Sequence, residues 1–231
     1  MPRAEPRRVV LLRHGRTAHN ASGVIQGQLD TPLDDTGRRQ AEVVGRVLAA
    51  TPPAVLLSSD LSRAADTAAA IGRAAGAEPV LDARLRELHL GSWQGLTSEE
   101  ARERFPAQWA DWRAGRDTPR GGGETYRQAG DRAAACVREH LDVVPPGGVL
   151  LAVTHGGTAR AALGVLLELE PSSWGRLAPL GNTCFSTLVE APWGWRLERH
   201  GAGTGPLTGA PDGAVDLGAP PAASPDDEPV R

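Results

Sequence analysis

Three short aliphatic runs in this chain end in the same way, each at a group of polar residues. They are VVLLRHG (Val9 to Gly15), AVLLSSD (Ala54 to Asp60) and VLLAVTHG (Val149 to Gly156). A near-continuous run of Val, Leu and Ala is typical of a strand that is covered on both faces. The sequence therefore predicts at least three buried strands, each with polar side chains directly after its end.

Helical patterns follow these runs. TGRRQAEVVGRVLAA places Ala41, Val44, Val47 and Leu48 on one stripe, after a cap at Asp35 or Thr36. LSRAADTAAAIGRAAG and GTARAALGVLLEL predict two further helices. Strands that alternate with helices predict an α/β fold, a three-layer sandwich with a mostly parallel central sheet and helices on both faces.

The chain divides into a folded body and a tail. We assign residues 1–200 to one domain, with an insertion at about 88–125 that starts a helix at a Thr97 to Glu100 capping box. Its aromatic residues either cover a site as a lid or serve as packing residues. CFSTLVE and WGWRLERH predict a terminal hairpin. Residues 201–231 are rich in Gly, Ala, Pro and Asp, and we expect this acidic tail to be disordered.

Composition excludes several classes of protein. The whole chain carries a net charge of −3; five acidic residues and one arginine give the tail −4, so the body carries +1. This balance argues against a nucleic-acid partner. No apolar run approaches 18 residues, so we expect no membrane span and a cytoplasmic location. Cys136 and Cys184 lack the spacing of a zinc site or a disulfide framework, and HxH and HExxH patterns are absent.

The polar residues at the strand ends suggest phosphate chemistry. Ligands of such sheets bind at the carboxyl ends of the strands, where Arg13, His14, Arg63 and His155 all fall. Two guanidinium groups suit a phosphate dianion. Their charges should lower the pKa of His14 and keep its ring neutral, which makes it a candidate nucleophile.

Phosphoryl transfer also needs a proton for the departing oxygen. The candidate donor is Glu87, because a carboxyl group beside a dianion keeps its proton to higher pH. His155 would stabilise charge on the equatorial oxygens of phosphorus. This arrangement requires neither a metal ion nor another cofactor.

Four motifs of this chain resemble the histidine phosphatase superfamily, in the branch that also contains phosphoglycerate mutases. In their order along the chain they are RHGxTxxN, SSDLxRAxxTA, RExxxGxWxG and THGG. The resemblance spans about residues 9–188 and implies that His14 becomes phosphorylated, with Glu87 as proton donor. It also implies that Arg13, Arg63 and His155 form the phosphate pocket. The further binding residues that it implies are Thr17, Asn20, Gln26, Gly27, Gly156 and Asn182.

The resemblance favours hydrolysis over mutase activity. Mutases carry a tyrosine in ERxYGALQGL where this chain has Leu90 in ELHLGSWQGL, and the segment between Gly95 and Gly123 is short for a mutase. We therefore expect a metal-independent phosphatase that hydrolyses a small phosphomonoester of the sugar phosphate or phosphoglycerate type. The alternatives are a phosphoglycerate mutase and a non-catalytic phosphate-binding regulatory protein. The expected partner is a small phosphorylated metabolite, and a homodimer is one assembly that the sequence leaves open.

Overall fold

A computed structural model describes residues 5–203 of the chain. Within this range, six strands form one sheet in the order β3-β2-β4-β1-β5-β6. The strands are β1 (Arg8–Arg13), β2 (Val55–Ser58), β3 (Pro79–Leu81), β4 (Val149–Thr154), β5 (Phe185–Ala191) and β6 (Gly194–Ala202). The three aliphatic runs are β1, β2 and β4, as predicted, whereas the short edge strand β3 has no comparable apolar run and was not predicted.

The sheet is parallel except at one edge. β1 pairs in parallel with β4, β4 with β2, and β2 with β3. β5 pairs antiparallel with β1 and with β6, which confirms the predicted terminal hairpin. The carboxyl ends of β1, β2 and β4 consequently meet at the same edge of the sheet.

Helices cover both faces of this sheet, which confirms the predicted three layers. In the described range they are α1 (Ala18–Ser22), α2 (Asp35–Leu48), α3 (Ser62–Ala75), α4 (Ser98–Arg104), α5 (Pro106–Arg113), α6 (Tyr126–Leu141) and α7 (Gly156–Leu166). Short 3-10 helices lie at Ala83–Leu85, Gly91–Trp93, Arg120–Gly122 and Pro171–Arg176.

Alternate side chains of the central strand enter two separate cores. Val9 and Leu11 pack with α6 and α7, in a core that includes Val137 and Leu163. Val10 and Leu12 pack on the other face with residues of α2 and α3. Because side chains of a strand alternate between its faces, a continuous apolar run is what a doubly covered strand requires.

Two details of the predicted α2 are wrong. The helix is capped by Asp34, whose carboxylate accepts a hydrogen bond from the Gly37 N–H at 2.7 Å, so neither Asp35 nor Thr36 is the cap. Val47, which we placed on the buried stripe, is 51% exposed. Leu48, the next residue along the helix, packs against the core, so the packed part of α2 extends past Val47, and Val47 lies beside the buried stripe rather than on it.

The insertion has an aromatic core of its own. Thr97 and Glu100 form the predicted capping box at the start of α4. Trp93 is fully buried and stacks with Trp109, and Trp112 meets both rings edge-on. These tryptophans are therefore packing residues. The covering role of the segment stays a prediction.

The end of the described range bears on the predicted tail. β6 continues to Ala202, which pairs with Phe185, so the folded body runs past the predicted boundary at residue 200. Residues 204–231, most of the predicted tail, lie outside the described residues.

Within the described range, no helix combines the length and apolar character that crossing a membrane would require. Both cysteines are free thiols.

Candidate active site

His14 follows the last residue of β1 and is almost completely buried, with 3% exposure. Its Nδ1 lies 2.7 Å from the carbonyl oxygen of Gly15. A carbonyl can only accept, so Nδ1 carries the proton and the Nε2 of the neutral ring keeps a lone pair. Burial, followed by the charges of Arg63 and Arg13, lowers the pKa of His14 well below its usual value. The predicted direction is confirmed, but burial contributes more than the cations.

His155 occupies the corresponding position after β4, as the N-cap of α7, and has no exposed surface. Its ring centroid is 5.0 Å from that of His14. The Arg63 Nε–H donates towards Nδ1 of His155 at 3.2 Å, and Nε2 lies 2.9 Å from the Ser59 hydroxyl. Burial, and next the charge of Arg63, lowers the pKa of His155 as well. Both rings are therefore held in the neutral form.

Arg63, in the first turn of α3, connects the two imidazoles. Its Nε–H is shared between Nε2 of His14, at 3.3 Å, and Nδ1 of His155. Its Nη1 and Nη2 donate to the carbonyl oxygens of Leu29 and Gly27, both at 2.7 Å. Burial lowers its pKa from 12.5 to about 10, which still leaves the group charged at neutral pH. The loop around Gly27 thus fixes the orientation of this guanidinium.

Arg13 supplies a second guanidinium at the end of β1. Its Nη1 donates to the Leu180 carbonyl at 2.7 Å. Its Nε is buried and meets no hydrogen-bond acceptor among the described residues. A buried donor without an acceptor is costly, and an anion in the adjacent cavity could offset that cost.

Glu87 reaches the site from the loop after the first 3-10 helix. Its carboxylate accepts hydrogen bonds from the backbone N–H groups of Leu88, Gly157 and Thr158, at 2.9 to 3.1 Å. The Thr158 hydroxyl lies 3.0 Å from the same carboxylate. The start of α7 therefore holds Glu87 beside Gly156 and Gly157.

These side chains surround a cavity of about 50 Å³. Its volume suits a small group such as a phosphoryl group rather than a complete metabolite. The lining residues from the sheet edge and the following loops are Arg13, His14, Asn20, Val24, Ile25, Gln26, Gly27, Arg63, Glu87, Gly156 and Gly157. The lining residues from the insertion and α6 are Leu88, Leu90, Arg120 and Tyr126.

Two of the predicted binding residues lie behind the cavity wall. Thr17 is fully buried as the N-cap of α1, where it forms a capping box with Asn20. The Asn182 amide donates to the His14 carbonyl at 3.0 Å and to the Asn20 side chain at 3.3 Å. Both residues support the groups that line the cavity but do not line it themselves, and the same holds for His155.

Sequence reasoning missed four residues that shape the site. Gly157 and Thr158 follow Gly156, and the glycine pair after His155 could have indicated close backbone approach to an anion. Arg120 and Tyr126 reach the cavity from the insertion, and no local pattern in the sequence indicates this. Within residues 5–203, no group of three or more His, Cys, Asp or Glu side chains is placed to hold a metal ion.

Comparisons with known proteins show which family this chain resembles along its length. The model of the histidine phosphatase superfamily (branch 1) matches residues 9–203. A glucosyl-3-phosphoglycerate phosphatase of Mycolicibacterium vanbaalenii is 40% identical over 189 residues, covering 79% of this chain and 84% of the relative. A probable phosphoglycerate mutase of Yersinia enterocolitica is 37% identical over 203 residues, covering 84% and 92%.

A solved structure extends the comparison to the fold. Mycobacterial glucosyl-3-phosphoglycerate phosphatase, in complex with VO3, superposes with a TM-score of 0.79 at 37% identity, covering 85% of this chain and 99% of that one. The family match covers most of this chain and includes at least part of each of the six strands. The chain therefore belongs to the histidine phosphatase superfamily.

Proposed function

We propose that this protein hydrolyses a small phosphomonoester, of the sugar phosphate or phosphoglycerate type, through a phosphohistidine at His14. One observation carries the proposal. The Nδ1–H of His14 is committed to the Gly15 carbonyl, so the lone pair on Nε2 is the nucleophilic atom beside an anion-sized cavity. Phosphatases among the relatives support the reaction class.

In the first step, the Nε2 lone pair of His14 attacks phosphorus and the bond from phosphorus to the ester oxygen breaks. Glu87 takes up a proton when the phosphate ester binds and gives this proton to the ester oxygen, so the alcohol leaves neutral and Glu87 is a carboxylate again. Arg13 and Arg63 balance the charge on the phosphoryl oxygens. Arg63 is already fixed by the Gly27 and Leu29 carbonyls, so it needs no reorganisation when the phosphate binds.

In the second step, water attacks the phosphohistidine. Glu87 takes a proton from the water, the N–P bond breaks, and the electron pair returns to Nε2. Inorganic phosphate leaves and the starting state is restored. His155, which is neutral and hydrogen-bonded to Ser59, acts from behind the cavity wall, because it accepts from the Arg63 Nε–H and so holds that guanidinium beside the phosphoryl oxygens through both steps.

The cavity favours hydrolysis over mutase activity. Leu90 lines it and is buried, at the position where the resemblance places a tyrosine in mutases. An aliphatic side chain cannot donate a hydrogen bond to a phosphoglycerate carboxylate.

Because nucleophile and proton donor are both present, we favour catalysis over a purely phosphate-binding role. We also propose a cytoplasmic location, and the homodimer stays a prediction.

The test is turnover of p-nitrophenyl phosphate in excess EDTA by the wild type and by His14→Ala. We expect the variant to lose at least about 1,000-fold in kcat, together with an acid-labile, base-stable phosphate label on the protein. His89→Ala is the matched control, because His89 is exposed and does not line the cavity.

Two results would contradict the proposal. Activity that disappears with chelator and returns with a divalent ion would indicate a metallohydrolase. Interconversion of 3- and 2-phosphoglycerate with a bisphosphoglycerate primer, faster than phosphate release, would indicate a mutase.

A further inference from the structure

The glycine-rich segment Arg120–Gly123 packs backbone to backbone against residues 89–93. A Cβ atom on Gly121 would collide with the Leu90 carbonyl, and one on Gly123 with the His89 carbonyl. The Glu124 N–H donates to the His89 carbonyl at 2.7 Å, and the Gln108 side chain accepts from the Gly121 N–H at 2.8 Å. The glycines are thus required for close approach, and the segment is held in place.

This packing fixes Arg120 at the wall of the phosphoryl cavity. Its side chain is 3% exposed, and its guanidinium carbon lies 4.8 Å from the centre of the Tyr126 ring, over the ring face. Cation–π contact of this kind orients a guanidinium. Arg120 therefore presents a preorganised positive charge to a ligand in the cavity.

Arg120 lies apart from the nucleophile's supporting groups. Arg13 and His14 come from the end of β1, and Arg63 binds His14 directly. Arg120 comes from the insertion, together with Leu88 and Leu90. In an in-line displacement the attacking and leaving atoms lie on opposite sides of phosphorus. A group bonded to the leaving oxygen therefore extends away from His14, and Arg120 is the arginine of the cavity lining that comes from neither β1 nor α3.

From this placement we propose that Arg120 is a specificity-determining residue that binds a carboxylate on the alcohol part of the substrate. The substrate class is then a phosphate ester of a hydroxy acid, and this inference rests on the proposed function. A planar guanidinium matches a carboxylate in geometry and charge. Tyr126 also lines a second cavity, of about 250 Å³.

The experiment compares two phosphate esters, 3-phosphoglycerate and glycerol 3-phosphate. They differ at one carbon, which is a carboxylate in the first and a hydroxymethyl group in the second. We expect the wild type to favour 3-phosphoglycerate at least ten-fold in kcat/KM. Arg120→Met should reduce this ratio at least ten-fold, mainly through KM, and Arg120→Lys should recover part of it because the charge is kept. Arg102→Met is the matched control, since Arg102 is an exposed arginine of the same insertion and should leave the ratio unchanged.

A wild-type measurement covers the case in which Arg120→Met does not fold. D-glycerate should inhibit p-nitrophenyl phosphate turnover at least ten-fold more strongly than glycerol does. Equal turnover of the two esters by the wild type, or an equal loss for both in Arg120→Met, would overturn the assignment of Arg120.

The two proposals fail in different ways. Absence of p-nitrophenyl phosphate turnover would count against the hydrolase itself. Calorimetric titration with the two esters would then still decide whether Arg120 recognises the carboxylate, with a ratio of dissociation constants near one as the negative result.

Discussion

At the scale of single residues, four hydrogen bonds determine the state of both active-site imidazoles. Arg63 donates to one nitrogen of each ring, while the other nitrogen of each ring meets Gly15 or Ser59. A guanidinium remains a donor at neutral pH, so the nitrogens facing it must accept. The arrangement keeps both rings neutral without any carboxylate partner.

This arrangement predicts a dependence of stability on pH. Below about 6.5, the ordinary pKa of histidine, the unfolded chain binds a proton on each ring that the folded chain does not bind, because both pKa values are lowered on folding. The free energy of unfolding should fall as pH decreases from 6.5 to 5, by up to about 1.4 kcal/mol per pH unit for each ring. His155→Gln should remove one such contribution in urea unfolding.

The control for this prediction is His89→Gln, because the His89 side chain is exposed. Its unfolding free energy should keep the wild-type slope against pH. A slope in His155→Gln equal to that of the wild type would show that the ring titrates normally in the folded protein.

Much of the residue-level site could be predicted from the sequence. Arg13, His14 and His155 follow buried strands, and parallel strands bring their carboxyl ends together. Arg120 could not be predicted, because its place in the cavity depends on how the insertion packs against residues 89–93. No local pattern in the sequence indicates how the insertion packs there.

At the scale of elements, the first turn of α7 determines where Glu87 lies. Two backbone N–H groups and the Thr158 hydroxyl contact its carboxylate. The same hydroxyl lies 2.9 Å from the Arg86 carbonyl, so it also holds the backbone next to Glu87. A helix N-terminus suits a negatively charged group, since its first N–H groups have no partner within the helix.

Thr158→Val should lower kcat roughly ten-fold with little change in KM, because the carboxylate loses one of its fixed contacts. Thr158→Ser keeps the hydroxyl and should retain most of the activity. The measurement is steady-state turnover of p-nitrophenyl phosphate by both variants. An equal loss in the two variants would mean that the methyl group, rather than the hydroxyl, accounts for the effect.

Element types were easier to predict than their limits. Aliphatic runs identified β1, β2 and β4, and apolar periodicity identified α2. Periodicity alone, however, does not show how much of the circumference of a helix the core covers. Val47 is half exposed although Leu48, beside it, packs against the core, so the burial of Val47 could not be predicted from spacing.

At the scale of the whole molecule, the described body ends with an edge strand. β6 pairs with β5 as far as Ala202. Removal of residues 204–231, which contain few large apolar side chains, should change the free energy of unfolding by less than about 0.5 kcal/mol and leave kcat unchanged. Urea unfolding and steady-state turnover of the truncated chain would test this. A larger decrease in the free energy of unfolding or in kcat would show that the tail contributes to the stability or the activity of the body.

The clustering of aromatic residues in the insertion has a spectroscopic consequence. Three of the six tryptophans, Trp93, Trp109 and Trp112, lie with ring centroids 4.7 to 6.3 Å apart. Indoles at such separations couple electronically, so the near-ultraviolet circular dichroism and the emission of this protein should be dominated by one segment. A local rearrangement of the insertion would then change these signals more than an equal movement around Trp174, Trp193 or Trp195, whose rings lie outside this cluster.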